Sequence, residues 1–318
     1  PISTLFPSTT LFRSGKKVIL IERESRLGGI LKQCIHDGFG LATFGTSLTG
    51  PEYAQKYIDK IKHSDVEVCL KTFVTQLVKQ KLGFKAELVN RNFGVKSIEA
   101  KTVVLATGCR ERTGKQLYIG GTRPSGILTA GTAQYLVNID GMLPCQRCVI
   151  LGSGDIGLIM ARRLTLEGAQ VLGVYEIQQK PSGLLRNVHQ CLIDFDIPLH
   201  LSKTVVSVKG VERLEAVVVA SVDERLRVID GTEEVIACDG LILSVGLIPE
   251  NEMAEKLGVL IDGQPRGPKV DEKLMTSIPG VFSCGNALRV FDLVDHVSES
   301  GSLVAKSVMS YLEKGDVV

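Results

Sequence analysis

CVILGSGDIGLIMARRLTLEGAQVLGVYE, residues 148–176, reads as strand, glycine turn, helix and strand. Val149 to Leu151 form a short apolar run, and Gly152, Gly154 and Gly157 follow as G-x-G-x-x-G where a helix would begin. Each glycine has its own mechanical reason: the first permits the tight turn, the second lets a pyrophosphate approach the backbone, and the third lets helix lie close to strand. N–H groups at the helix start then face the phosphates. Ile156, Ile159, Met160, Ala161 and Leu164 recur at three- and four-residue spacing, and Gly168 supplies a C-terminal stop. The second strand, Val171 to Tyr175, runs into Glu176, 24 residues beyond Gly152, where an acid meets the adenosine ribose 2′-hydroxyl. A glycine triplet alone is weak evidence. With strand, triplet, amphipathic helix, strand and terminal acid in register, the stretch marks a dinucleotide site against the blander reading of an ordinary βαβ unit.

The whole chain has 318 residues, enough for two domains with separate cores. Its net charge of +2 offers no basic field for nucleic acid or an anionic membrane, and no apolar run reaches bilayer-spanning length. The eight cysteines are Cys34, Cys69, Cys109, Cys145, Cys148, Cys191, Cys238 and Cys284, too scattered for a secreted disulfide scaffold. They read as reduced thiols of a cytoplasmic protein. No cysteine, histidine or acid set has the spacing of a zinc or iron–sulfur site, so no metal is expected.

Residues 1–14, PISTLFPSTTLFRS, carry neither strand nor helix pattern and lack the makings of a signal peptide. TLFPSTTLFRS reads like a translated sequencing-adapter oligonucleotide, so a non-native segment joined near Gly15 is expected. From Lys17 to Ile21 an apolar strand ends in Glu22, and the end of the opening motif then recurs. IERESRLGGIL (21–31) aligns with YEIQQKPSGLL (175–185), placing Glu22 on Glu176 and Gly29 on Gly183. IEAKTVVLATG (98–108) likewise resembles VIACDGLILSVG (235–246), with Gly108 on Gly246. Each is preceded by short alternating strands that read as a β-meander. The expected fold class is α/β: two Rossmann-like dinucleotide-binding domains, three-layered, with parallel sheets and meanders. Counting the same spacing of 24 back from Glu22 falls before residue 1, so the first domain is expected to lack its first strand and glycine motif, as an N-terminally truncated chain that binds FAD poorly.

GGILKQCIHDGFGL (28–41), LTGPEYA (48–54), ATGCRER (106–112), LRNVHQCLIDFDIPL (185–199) and NALRVFDLVDHVSESG (286–301) resemble the two-dinucleotide-domain flavoproteins of the pyridine nucleotide-disulfide oxidoreductase class. Within it they are most similar to the subgroup of the FAD subunits of opine oxidase and hydrogen cyanide synthase, along nearly all of residues 15–318. The resemblance implies FAD on the first domain and a nicotinamide nucleotide on the second, with the NAD domain (119–240) inserted into the FAD domain (15–118 and 241–318). It implies that Thr107 and Gly108 pass close to the adenosine part of FAD. TSIPGVFSCGN (276–286) matches the late flavin motif, with Gly285 followed by Asn286 where the family has an acid toward the ribityl chain. The helix that follows would point its N-terminus, with His296, at the flavin pyrimidine, where it would stabilise negative charge.

Disulfide reductases of this class carry two cysteines beside the flavin near Gly28-Gly29, whereas here Cys34 stands without a second. The resemblance therefore leaves Cys34 and His36 as candidate catalytic residues, Cys34 lining the flavin pocket and His36 handling a proton, with structural roles equally open. Cys145 and Cys148 form C-x-x-C, but Cys148 opens a buried strand where a reactive thiolate is out of place. The expected activity is hydride transfer between NAD(P)H and FAD, with NAD(H) preferred because Glu176 repels a 2′-phosphate and Ile177, Gln178 and Gln179 offer no arginine. Electrons would then pass to a partner flavoprotein, an iron–sulfur protein or a small acceptor. The rival readings are a thioredoxin-reductase-like disulfide reductase using Cys145 and Cys148, and a non-catalytic NAD-binding redox subunit.

Overall fold

The computed structural model describes residues 16–264 and 266–315. The expectation that residues 1–14 are non-native, standing where a first strand and glycine motif belong, falls outside the described residues. The chain divides into two units: one runs up to Arg110 and again from Ile248, and the other is Glu111–Leu247. In chain order the first unit supplies β1 (Ile19–Ile21), α1 (Gly50–Lys62), β2 (Glu67–Cys69), the meander β3 (Thr72–Gln80), β4 (Gly83–Asn90) and β5 (Gly94–Ala100), and β6 (Val103–Leu105). The second unit supplies β7 (Ile127–Thr129), α2 (Ala130–Asn138), β8 (Arg147–Leu151), α3 (Asp155–Leu166), β9 (Gln170–Glu176), α4 (Leu185–Cys191) and β10 (Leu199–Leu201). Its own meander follows as β11 (Lys203–Lys209), β12 (Ala216–Ser221) and β13 (Glu234–Ala237), and then β14 (Gly240–Leu243). The chain returns to the first unit for β15 (Val281–Ser283) and α5 (Val294–Gly315).

The second unit is built on a parallel sheet in the order β10-β9-β8-β14-β7. Counted from β8, the strands run 3-2-1-4, so the strand order reverses between β8 and β14, and in open sheets of this kind ligands bind beyond the C-terminal ends of the strands at such a reversal. Alternation along each strand decides what covers the two faces. Cys148, Ile150 and Ile242 pack with Leu158, Met160, Ala161 and Leu164 of α3 on one face. Val149, Leu151, Leu241 and Leu243 pack with Val205, Val208, Val217 and Val219 of the meander on the other. With both faces covered, these strands read as continuous apolar runs rather than alternating ones. β14 is a paired interior strand of this sheet, and the second unit runs from Glu111 to Leu247, beside the expected bounds of 119–240 for the inserted domain.

The first unit follows this plan in part, its parallel strands forming two separate pairs among the described residues. Parallel β1–β2 and parallel β6–β15 carry the strand register, and β3–β4–β5 form an antiparallel meander. Val104, Phe282 and Cys284 face Val304, Ala305 and Val308 of α5, whereas Val103, Leu105 and Val281 face Leu77 and Phe84 of the meander. Gly108 after β6 and Gly246 after β14, paired in the sequence alignment, both take positive φ, 74° and 98°. Among the described residues no helix is long and apolar enough to cross a membrane.

Candidate functional site

At the C-terminal end of β8 the three glycines of the turn meet different surroundings. Gly152 has φ +101°, and a Cβ there would lie 2.0 Å from the Ser244 carbonyl oxygen, so only glycine lets the chain turn against β14. A Cβ on Gly157 would come within 2.4 Å of the Gly152 oxygen and 3.0 Å of the Ser244 Cβ; its bareness sets how closely α3 approaches the sheet. Gly154 differs from both. Its φ of −64° suits any residue, and the nearest atom to a Cβ there is the Ser182 Oγ at 4.0 Å. That clear space adjoins the first turn of α3, which no side chain caps, and it leaves room for a pyrophosphate to reach the helix N-terminus. α3 ends where Gly168 takes φ +94° and its N–H bonds the Thr165 carbonyl at 3.0 Å. Leu158, absent from the apolar face read in the sequence, is fully buried in its core.

Glu176 closes β9 and is buried. Its Oε2 accepts from the Ser153 N–H at 3.0 Å, from the Ser153 hydroxyl at 2.5 Å and from the Ser182 hydroxyl at 3.3 Å, while Oε1 accepts from the Gln178 N–H at 3.0 Å. The Ser153 Oγ also accepts from the Ser182 N–H at 3.0 Å, and the Gly183 N–H bonds the Ser153 carbonyl at 2.9 Å. On the other side of the turn the Asp155 carboxylate accepts from the Leu184 N–H at 2.8 Å and the Asn187 amide at 2.7 Å. The segment after Glu176 is thus tied down against the glycine turn at both edges. Sequence reading missed Ser153, Ser182 and Asp155; the signal was present in part, since serines beside a glycine turn have hydroxyls able to hold a neighbouring acid.

The first unit repeats the strand-end acid. Glu22 is buried at the end of β1, its N–H bonding the Cys69 carbonyl, and its Oε1 accepts from the Glu24 N–H at 2.8 Å, the same two-residue contact that Glu176 makes with Gln178. Gly29 follows with φ 52°. Beyond β6 and β15 a second group gathers. The Thr107 hydroxyl donates to the Glu250 carbonyl at 2.7 Å and the Glu250 N–H to the Gly108 carbonyl at 2.9 Å. The Gly285 N–H donates to the Ser300 hydroxyl of α5 at 2.9 Å. Asn286 accepts from the Phe291 N–H at 3.1 Å and sets its amide 3.5 Å from the Cys109 sulfur. At the start of α5 His296 is exposed, with Nδ1 3.2 Å from Glu299, whereas Asp295 is buried and accepts from the Thr43 N–H at 2.8 Å and from its hydroxyl. The Tyr53 and Ser298 hydroxyls, 2.6 Å apart, join α1 to the same turn.

Cys34 lies at the entrance to α1, where its carbonyl accepts from the Gly50 N–H at 2.8 Å. The thiol is buried and donates to the Ile30 carbonyl at 3.4 Å, and burial pushes it up to about 12, against the thiolate that a reactive cysteine needs. His36 packs against the Phe39 ring at 5.0 Å. Cys145 and Cys148 are both buried in the core beneath α3. The Cys148 thiol hydrogen-bonds Cys145, lowering the Cys145 pKa and raising its own, with burial raising both. Cys148 stands four residues before Gly152 on an extended strand, about 13 Å from the glycine turn at ~3.3 Å per residue.

The family model for pyridine nucleotide-disulphide oxidoreductases matches residues 8–301. Hydrogen cyanide synthase subunit HcnB of Pseudomonas aeruginosa is 26% identical over 267 residues, 78% of this chain and 56% of HcnB. An opine oxidase subunit of Agrobacterium tumefaciens is 24% identical over 323 residues, 94% of this chain and 62% of that protein. The chain thus spans less than two thirds of the length of these relatives. Among solved structures, the thioredoxin reductase of T. acidophilum is similar in fold, with a TM-score of 0.75 at 24% identity, covering 96% of this chain and 94% of its own.

Proposed function

Because this chain belongs to the pyridine nucleotide-disulphide oxidoreductase family, we propose that it binds NAD(H) on the second unit and FAD on the first, with hydride passing between nicotinamide and flavin. The observation that carries the reading is the glycine turn, whose Gly154 face is clear beside α3 while a buried acid, Glu176, waits at the end of the next strand. Gly154 and the first turn of α3 hold the pyrophosphate, and Glu176 accepts from the adenosine ribose. In the first unit Glu22 does the same for FAD, the turn at Gly29 and the Thr107-Gly108 backbone run along its adenosine part, and Gly285 lets the backbone pass close to the ribityl chain that Asn286 bonds. Among the described residues Glu22 suits the adenosine end of this cofactor and Asn286 the ribityl end, and the segment before β1, where its pyrophosphate turn is at issue, lies outside them. An amide in place of an acid keeps the hydrogen bonds and removes a negative charge. The start of α5, with His296, favours negative charge on the flavin ring. Cys34 lines the pocket as a neutral thiol, and His36 is left as the proton-handling group.

NADH is the preferred nucleotide. Glu176 is held ready for a ribose hydroxyl, and Lys180 is the nearest cation in the segment after it. Full-length protein carrying FAD should be reduced by NADH with a kcat/KM more than about tenfold above that for NADPH, a difference of ~1.4 kcal/mol. Comparable values for the two nucleotides would overturn the preference, and a flavin that neither reduces would overturn the function itself.

No thiol stands between the two cofactors in this account. Replacing Cys145 and Cys148 together by serine should therefore leave flavin reduction by NADH within about twofold of the parent rate. Stopped-flow absorbance decides this: a slowdown on the order of a hundredfold in folded protein would restore the disulfide-reductase reading. HcnB and its opine oxidase counterpart are both named as subunits of larger enzymes. A partner protein, a flavoprotein or an iron–sulfur protein, is the proposed electron acceptor here.

A further inference from the structure

Ser153, the first x of the glycine motif, is fully buried and has a hydroxyl that joins two elements: it donates to Glu176 and accepts from the Ser182 N–H. A carboxylate offers about four lone-pair positions, two on each oxygen. Oε2 of Glu176 already receives three donors, two from Ser153 and one from Ser182, and is saturated. Among the described residues Oε1 receives the Gln178 N–H alone, so one of its two acceptor positions remains. That fixed asymmetry matches a ribose hydroxyl, which needs one acceptor, and opposes a 2′-phosphate, which brings negative charge of its own and meets a carboxylate that its donors hold in place.

We propose that Ser153, supported by Ser182, is a positioning residue that sets nucleotide selectivity by clamping Glu176 with one acceptor site presented to the ribose. The proposal rests on the reading of Glu176 as the NAD ribose ligand. It accounts for the folding of residues 177–187 onto the turn. Gly183 permits that folding, because a Cβ there would lie 2.8 Å from both the Ser153 carbonyl and a Leu158 methyl. Without the Ser153 hydroxyl, Glu176 loses its shortest contact and the Ser182 N–H loses its acceptor, so the acid is held less firmly, by the Ser153 and Gln178 N–H groups and the long Ser182 hydroxyl contact.

The test is direct titration of full-length protein with NADH and with NADPH, followed by nucleotide fluorescence, for the parent, Ser153→Ala, Glu176→Gln and the double variant. The ratio of the two dissociation constants should fall about tenfold in Ser153→Ala, as expected for one hydrogen bond to a charged group. In the Glu176→Gln background the same serine change should move the ratio by less than about twofold, because the carboxylate it orients is gone. A serine effect that persists undiminished beside Glu176→Gln marks a merely structural role and overturns the proposal. A parent that discriminates, together with a Ser153→Ala that discriminates equally well, overturns it while leaving Glu176 as the ribose ligand. A parent with no preference overturns the NAD reading beneath it. Should Ser153→Ala fail to fold, Ser182→Ala carries the same cycle with an expected fall of about threefold, abolished by Glu176→Gln; a fall that survives Glu176→Gln, or no fall at all, again overturns it.

Discussion

Gly152→Ala is expected to lower the melting temperature of the second unit by about 10 °C and to abolish nucleotide binding with it. The residue holds φ +101°, which costs a side-chain-bearing residue about 1–2 kcal/mol. Its Cβ would also stand 2.0 Å from the Ser244 oxygen, a backbone atom that cannot swing aside. Ser244 is itself fixed, its N–H bonding the Leu151 carbonyl at 2.7 Å, while the Gly152 N–H bonds that of Tyr175 at 2.7 Å. Relieving the clash must therefore part β8 from β14, and overpacking of this kind adds roughly 1–3 kcal/mol. A total near 3 kcal/mol corresponds to about 10 °C at 2–4 °C per kcal/mol for a unit of this size. Calorimetry or circular dichroism checks it; an unchanged melting curve would mean that the turn is not built as described.

Gly154→Val separates binding from folding. The backbone angles there, φ −64° and ψ 162°, are ordinary for a β-branched residue, and no atom lies within 4 Å of the new Cβ except the Ser182 Oγ at that limit. The melting temperature should stay within about 2 °C of the parent, since the new Cβ displaces nothing and the nearest atom to it is the end of a side chain. The added methyl groups instead fill the space through which a pyrophosphate reaches the N-terminus of α3. NADH affinity should fall at least about a hundredfold, or ~2.7 kcal/mol. Titration of the folded variant with NADH checks this, and parent-like affinity would remove the turn from the binding site.

How much of this was legible in the sequence depends on the distance over which each feature is decided. The glycine turn, the strand on either side of it and the acid at Glu176 were legible because turn geometry, helix start and strand end are local matters of φ, spacing and apolar pattern. The internal repeat was legible for the same reason: Glu22 and Glu176 recur because each unit repeats the same strand-end contact, two residues on. Leu158 escaped the apolar-face reading because α3 is covered by α2 and α4 as well as by the sheet, so its buried arc is wider than one stripe. The Ser153–Glu176–Ser182 clamp joins residues up to 29 apart and depends on how the segment after Glu176 folds back, which no periodicity records. The bond of Thr43 to Asp295 spans 252 positions and follows only from the return of the chain to the first unit. For Cys34 the sequence supplied a thiol near two glycines but not its burial, and burial decides whether that thiol can ionise.

Reduction of protein-bound flavin under anaerobic conditions, measured in the full-length parent and in Gly154→Val, tests the central claim most directly. Dithionite, which needs no nucleotide site, should bleach the flavin in both. NADH should bleach it in the parent and leave it oxidised in Gly154→Val at concentrations that saturate the parent. Bleaching of Gly154→Val by NADH at the parent rate would show that hydride enters by a route other than the glycine turn and would contradict this account.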